Sequence, residues 1–397
     1  MLSPSSIGSV MRNNRVALTA MILLTASAAH SRTWRVEIDG SADYANIQPA
    51  VEASVSGDTI LIGVGRFGDT FLYHAPGWSD QVVVGINNKD LTLIGSGQDT
   101  TIIGPTTNSA MLWPGPIGIM VDIGCNIRIE SLTTENIRCG VYVWSDHLEM
   151  YNCTLRNHDI GIITWGINGT IIDNCSFQQC TNGIMGGARG GGLVVRYSEF
   201  IGYSQYHMSL QDIEEVAIDD CQFYSGLVAV QFDGHDCYGT IRNCIVHSGF
   251  GPHYASISGA QMELVDNVLH GGNKQLQIAS GTITGHGNVL HGTDQAGGGF
   301  ATIYCAGGYL DFTNNHIMRG NAQHLILAEY FIQQETIVLN LENNWWGTTD
   351  VDSLALWMHD INDDPSNHVV IDYSPYFGGP IANEDMSFGE IKAMFRR

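Results

Sequence analysis

Positive charge is what this chain has least of. Lysine and arginine number 17 against 40 acidic residues, a formal net charge of −23. So lopsided a surface repels nucleic acid and anionic lipid. It also gives uronate polymers little grip unless a bound cation such as calcium bridges the charges. Charged residues of both signs make up only 14% of the chain, and prolines number only 10. Long apolar runs are missing apart from Val16 to Leu24, which is too short to span a bilayer. Arg12 and Arg15 precede that run and Ala26-Ser27-Ala28 follows it, the layout of a secretory signal peptide covering residues 1–28. The expected setting is secreted, periplasmic or cell-surface, without membrane insertion after the signal is removed. Long helical patterns are nearly absent, which excludes helical repeats. Nine cysteines are an odd number for an exported chain, and their spacing is not that of a disulfide knot.

What the chain does have is one phrase that keeps returning. It reads Asn152-Cys153-Thr154-Leu155, Asn174-Cys175-Ser176-Phe177, Tyr197-Ser198-Glu199-Phe200, Asp220-Cys221-Gln222-Phe223, Asn243-Cys244-Ile245-Val246 and Asp266-Asn267-Val268-Leu269. The second residues of the phrases are separated by 22, 23, 23, 23 and 23 positions, a period that marks a solenoid. Later copies at 288, 315 and 344 follow at 21, 27 and 29, so loops such as Thr293 to Gly299 are inserted there. Each unit alternates inward and outward over short β-branched and aromatic runs, and a second strand such as Gly161-Ile162-Ile163-Thr164 or Gly183-Ile184-Met185 follows each phrase. Stacked units would bury a continuous apolar column, with equivalent residues ~4.8 Å apart along the axis.

The phrase Ile-x-Asn-Cys-x-Phe followed by Gly-Ile resembles the coil repeat of right-handed parallel β-helix proteins, the pectate-lyase-like superfamily. The resemblance implies an all-β, single-stranded solenoid over residues 29–378 with a short amino-terminal capping helix, and a tail over 379–397. The forty-seven glycines suit the tight turns of such coils. Trp34 to Ile38 reads as the first strand; Tyr44, Ile47, Ala50, Val51 and Val55 fall at helical spacing, and Gly57 ends the helix. At the other end Asn343-Asn344-Trp345-Trp346-Gly347 suits a closing cap. Asp360, Asn362, Asp363 and Asp364 are turn acids that could also hold a hard cation. Cys153, Cys175, Cys221 and Cys244 share one place in the repeat and are expected as a buried ladder of free thiols, because parallel Cβ vectors suit a bridge poorly.

Enzymes of this superfamily work on one outer face of the coil. In the strand after each phrase the outward stripe reads Tyr142 and Trp144, Ile163 and Trp165, Met185, Ser209 and Gln211, Gln231 and Asp233, Ser256 and Ser258, Gln277, then Thr302 and Tyr304. Rings can stack on pyranose faces while amides and carboxylates bond hydroxyls. The candidate binding residues are therefore Tyr142, Trp144, Trp165, Gln211, Gln231 and Tyr304, with a polysaccharide or cell-surface glycan as partner. Hydrolysis needs two flanking carboxylates, and Asp233 and Asp236 with His235 as proton carrier are the local candidates. Gly285-His286-Gly287 resembles a fragment of the polygalacturonase pattern, whose Asn-Thr-Asp and Arg-Ile-Lys parts are missing here. Among the basic residues of the middle coils, Arg189, Arg196, Arg242 and Lys274, none sits in a lyase signature. His247, His270 and His291 should stack in a column that could share a transition metal. No cofactor motif appears. Three readings stay open: a carbohydrate binder, a polysaccharide lyase or glycoside hydrolase using the same face, and a non-catalytic envelope or adhesion protein.

Overall fold

The computed structural model describes residues 31–75, 78–110, 115–144, 147–165, 169–187, 191–202, 205–234, 237–247, 253–294, 300–330 and 335–380, with the side chains of 75, 78 and 253–258 left aside. The signal-peptide expectation, the inserted loop after Asp294 and the tail beyond Pro380 fall outside these residues. No helix among them is long and apolar enough to cross a membrane.

The chain winds about 11 turns of parallel β-helix. Each turn gives one strand to each of three sheets. The first sheet runs from Thr33–Val36 to Val369–Asp372, the second from Gly65–Phe67 to His316–Ile317, and the third carries the strand that follows each phrase. Pairing is parallel throughout the described strands except between Phe71–Ala75 and Trp78–Ile86, which form a hairpin at one end of the third sheet.

The repeated phrase has a conformational cause. Its first residue, at Asn152, Asn174, Tyr197, Asp220, Asn243 and Asp266, has φ between 50° and 54°. Asn and Asp tolerate this left-handed corner better than other side-chain-bearing residues. The second residue turns inward and stacks as expected, with all nine cysteines free and buried. The backbone N–H of Cys221 lies 3.4 Å from Cys244 Sγ, so these two are vertical neighbours. The apolar residue that closes the phrase forms a second interior column, in which Phe177, Phe200 and Phe223 stack at centroid distances of 4.5 and 5.0 Å.

The glycine of each Gly-Ile pair is required by crowding. A Cβ on Gly161 would lie 2.6 Å from the Gly183 carbonyl and 3.0 Å from the Phe177 ring. One coil after Gly183 the same column holds His207 instead, its ring tilted beside those of Phe200 and Phe223 at 5.7 and 5.8 Å. Gly226 makes the room, since a Cβ there would come within 2.4 Å of His207 Nε2.

The amino-terminal helix, α1 (Ile47–Ala53), covers the open end of the coil with Ile47, Ala50 and Val51. Asn46 caps it, accepting from the Ile47 N–H at 2.8 Å. The helix stops earlier than the glycine signal implied. Ser54 closes it, donating to the Val51 carbonyl, while Val55 is exposed and Gly57, at φ +92°, turns the chain into the next strand. At the far end Trp346 is fully buried, as a cap requires.

Candidate functional site

The outer face of the third sheet holds most of the sequence-derived site residues. Val141, Ile162, Ile184, Met208 and Val230 point inward and are 0% exposed, so each next residue points out. The register stacks Tyr142, Ile163, Met185, Ser209, Gln231, Ser256, Gln277 and Tyr304 in one outward column. Two residues further along, Trp165 pairs with Gly187, and Gln211 with Asp233 and Ser258. The stripe is therefore a physical surface, with one correction. Thr302 is not on it: the residue is fully buried and its hydroxyl donates to the Met318 and Arg319 carbonyls at 3.2 and 3.3 Å.

The two ends of this surface differ. At the amino-terminal end the hairpin lies over it. Tyr73 and Val82 pack with Ile117, Met120, Cys139 and Ile163, and Tyr142, Trp165 and Met185 border that cluster. Arg138 pins the hairpin, with its guanidinium 2.6 Å from Asp80. Tyr142 and Trp165, read from sequence as free stacking faces, are thus half-buried, and the Trp165 ring rests against Gly187. Trp144 remains open at 41% exposure, 6.4 Å from the Tyr142 ring.

In the middle Gln231 Nε2 donates to Asp233 Oδ2 at 2.5 Å, and Gln211 is exposed. His235 and Asp236 lie outside the described residues, so the Asp233–Asp236 pair has no geometry to report.

The carboxy-terminal end carries the richest chemistry. Lys274 Nζ sits 4.2 Å from the Tyr304 ring centroid and 5.6 Å from that of Phe300, and donates to the Gln277 amide oxygen at 3.3 Å. The Tyr304 hydroxyl donates to Glu329 at 3.1 Å. Burial pushes the Lys274 amine down, against a smaller upward pull from Glu329. Burial and the Glu329 hydrogen bond push the Tyr304 phenol up. Of this group sequence reasoning placed only Tyr304 and Gln277 on the face. Glu329 lies two residues after Leu327, the register partner of Tyr304. Carrying the inward–outward count across the irregular interval after Asn315 would have found it.

Other sequence candidates have different roles. Arg242 and Arg196 bridge coils on the first sheet, 2.7 and 2.8 Å from Asp219 and Asp173. A depression of about 270 Å³ on that sheet holds Asp90, Arg128, His147 and Glu149. There Arg128 is taken up by Glu130 and Glu149, at 3.0 and 3.5 Å. His247, His270 and His291 do form a column, with ring centroids 5.3 and 4.2 Å apart and planes 4° and 12° from parallel. Imidazole lone pairs lie in the ring plane, so parallel stacked rings cannot converge on one ion. A metal shared by the three rings is ruled out by that geometry, and no group of three metal-ligating side chains exists among the described residues. The acids near the end serve the turn. Asp360 is buried and accepts from Asn362 and from the Ile371 N–H, and Asp364 accepts from Ser366.

Residues 93–237 match the family model described as a right handed beta helix region, which gives the coil its hand. No curated protein matches the sequence. Among solved structures, a pectin methylesterase from carrot aligns over 71% of this chain and 82% of its own at 14% identity, with a TM-score of 0.31. A mannuronic acid specific polysaccharide family 6 lyase enzyme from human gut microbiota aligns over 86% of this chain and 92% of its own at 10% identity, with a TM-score of 0.35. Neither likeness assigns a residue of this chain.

Proposed function

We propose that this protein binds carbohydrate along the outer face of its third sheet. The observation that carries this reading is the composition of the face. An open aromatic, Trp144, stands at one end and the Phe300–Tyr304 pair at the other, with amides and Asp233 between them. Such rings present apolar faces to sugar rings while the amides and acids bond hydroxyls. In this reading residues 1–28 are an export signal and the protein works in the periplasm, at the cell surface or outside the cell. A glycan array with the wild-type chain should return retained polysaccharides, and Trp144→Ala should lower retention at least several-fold. An array without hits moves the assignment to a non-catalytic envelope or adhesion role.

A second reading, polysaccharide lyase or glycoside hydrolase, is favoured by the Lys274–Tyr304–Glu329 group. A lysine half-buried against aromatic faces holds more of its amine in the neutral, proton-accepting form than a solvated one, and a phenol bonded to a carboxylate can pass a proton. Absorbance at 235 nm and reducing-end release, measured on any array hit, separate lyase from hydrolase. Lys274→Met and Glu329→Gln should abolish product without abolishing retention. Retention without product leaves the binder.

A further inference from the structure

We infer that the outer face of the third sheet is built for an uncharged, extended polysaccharide gripped at both ends, with about seven sugar rings as its shortest full occupant. This rests on the carbohydrate reading above and goes on to name the length and charge of what binds.

The length follows from register. Tyr142 and Tyr304 occupy the same outward column, seven coil steps apart. At the strand spacing of ~4.8 Å those steps span roughly 34 Å. Trp144 lies beside Tyr142 at one end, and Phe300 packs edge-on against Tyr304, centroid to centroid 5.8 Å, at the other. From Met185 onward, the two outward columns between these ends carry Ser209, Gln211, Gln231, Asp233 and Gln277 and no aromatic among the described side chains. Within these two columns stacking is therefore available only at the ends; Tyr206, half-buried, stands one column aside. One ring of an extended pyranose chain is comparable in length to one coil step of ~4.8 Å. A trimer or tetramer then reaches one anchor. A chain of seven or eight rings reaches both, and its second contact forms at the high effective concentration of a tethered group.

The charge follows from the same columns. Among their described residues the middle carries Asp233 and no cation, within a chain of net charge −23. The one lysine at the far end has Glu329 close by. Sugar hydroxyls suit that lining, whereas a uronate on every ring would meet Asp233 and a net-negative chain with no cation in the middle of these columns to offset its charge.

The test uses the full chain and titrates cello-, manno- and xylo-oligosaccharides of three to ten rings, with oligogalacturonides of the same lengths, by calorimetry. In at least one neutral series Kd should stay nearly constant up to about five rings and then fall at least tenfold by eight. Trp144→Ala and Phe300→Ala, both at exposed positions, should each remove that step. Affinity that saturates by four rings, a step that survives both substitutions, or tighter binding of the oligogalacturonides overturns the inference while carbohydrate binding stands. If none of the probes binds and the array is also empty, the carbohydrate reading itself falls and takes this inference with it.

Discussion

The same rung of the solenoid is built in two chemistries. In the amino-terminal coils it is Cys153, Cys175, Ser198, Cys221 and Cys244; in the carboxy-terminal coils it is Asn267, Asn288, Asn315 and Asn344. The thiols and the amides reach for the same acceptor, the carbonyl three residues before the preceding rung, while Ser198 donates to the Arg196 carbonyl. The thiols of Cys221 and Cys244 lie 3.6 and 3.9 Å from the Val195 and Ile218 oxygens, while the amides of Asn267 and Asn288 lie 2.8 Å from those of Ile241 and Leu264. Backbone N–H groups reach the next rung in both sets, from Cys175 to Ser198 Oγ and from Cys221 to Cys244 Sγ, but only the amides also link side chain to side chain. Each Oδ1 of Asn288, Asn315 and Asn344 accepts from the backbone N–H and from the Nδ2 of the rung before it. A thiol is a small filler with weak hydrogen bonds. An interior asparagine is tolerable only when every bond is made, and once they are made its loss is expensive. The two halves should therefore respond differently to acid and to substitution.

Acid should act most strongly, and on the amino-terminal half. His158 and His207 there are buried, and burial pushes both down to about 4. His207 has its Nε2 without a hydrogen-bond partner, so it must stay neutral in the fold. The folded values lie below the unfolded value of 6.5, so the unfolded chain binds more protons between pH 6.5 and about 4. Stability is full above pH 6.5 and is lost as pH falls through that window. For a fully buried imidazole the loss is up to roughly 3 kcal/mol. Urea unfolding at pH 7.5 and 4.5 should show the decline, and His207→Leu should reduce it by about that amount. If the variant declines as steeply as the wild type, the ring is not the proton acceptor. The stacked His291 is also pushed down to about 4, by burial and by His270 and His316, but it is only partly covered and should matter less.

Next in size is a broken amide rung. Asn288→Ala removes the acceptor of the Asn267 N–H and the donor to the Leu264 carbonyl, both fully inside the coil. Two buried groups left unpaired cost on the order of 3 kcal/mol together. The urea midpoint measures it, with the slope unchanged if unfolding stays cooperative.

How much of this was legible follows the regularity of the repeat. Where the spacing holds at 22 or 23, the thiol ladder, the Phe column, the inward residue after each glycine and the histidine column could all be read by counting. The count fails where local geometry overrides it. The hairpin that joins the cluster beside Tyr142 pairs antiparallel and belongs to no repeat, so nothing in the phrase announces it. Thr302 stands in the crowded column of Gly161, Gly183 and His207, where the chain bends and two successive side chains turn in. Whether the histidine column could share a metal was a matter of ring orientation, which spacing cannot encode. Glu329 lies beyond an interval of 27, where the same parity needed to be re-counted from each strand.

The smallest effects lie at the boundary between the two chemistries, and they test the comparison most directly. Cys244 is the last thiol rung: its Sγ accepts from the Cys221 N–H, and its own N–H already donates to Asn267 Oδ1, at 3.0 Å. Cys244→Ala takes away a buried sulfur and a weak acceptor, and should cost about 1 kcal/mol, well below the loss at Asn288. Cys244→Asn extends the amide ladder by one coil. A carboxamide there has its partners waiting, namely the Cys221 N–H, the Asn267 Oδ1 and the Ile218 carbonyl that the thiol now faces. The gain of those bonds should offset the extra volume and leave stability within about 0.5 kcal/mol of wild type. A loss as large as that of Asn288→Ala would mean that the coils on either side of this rung differ in backbone as well as in side chain. The equivalence of the two halves would then be wrong.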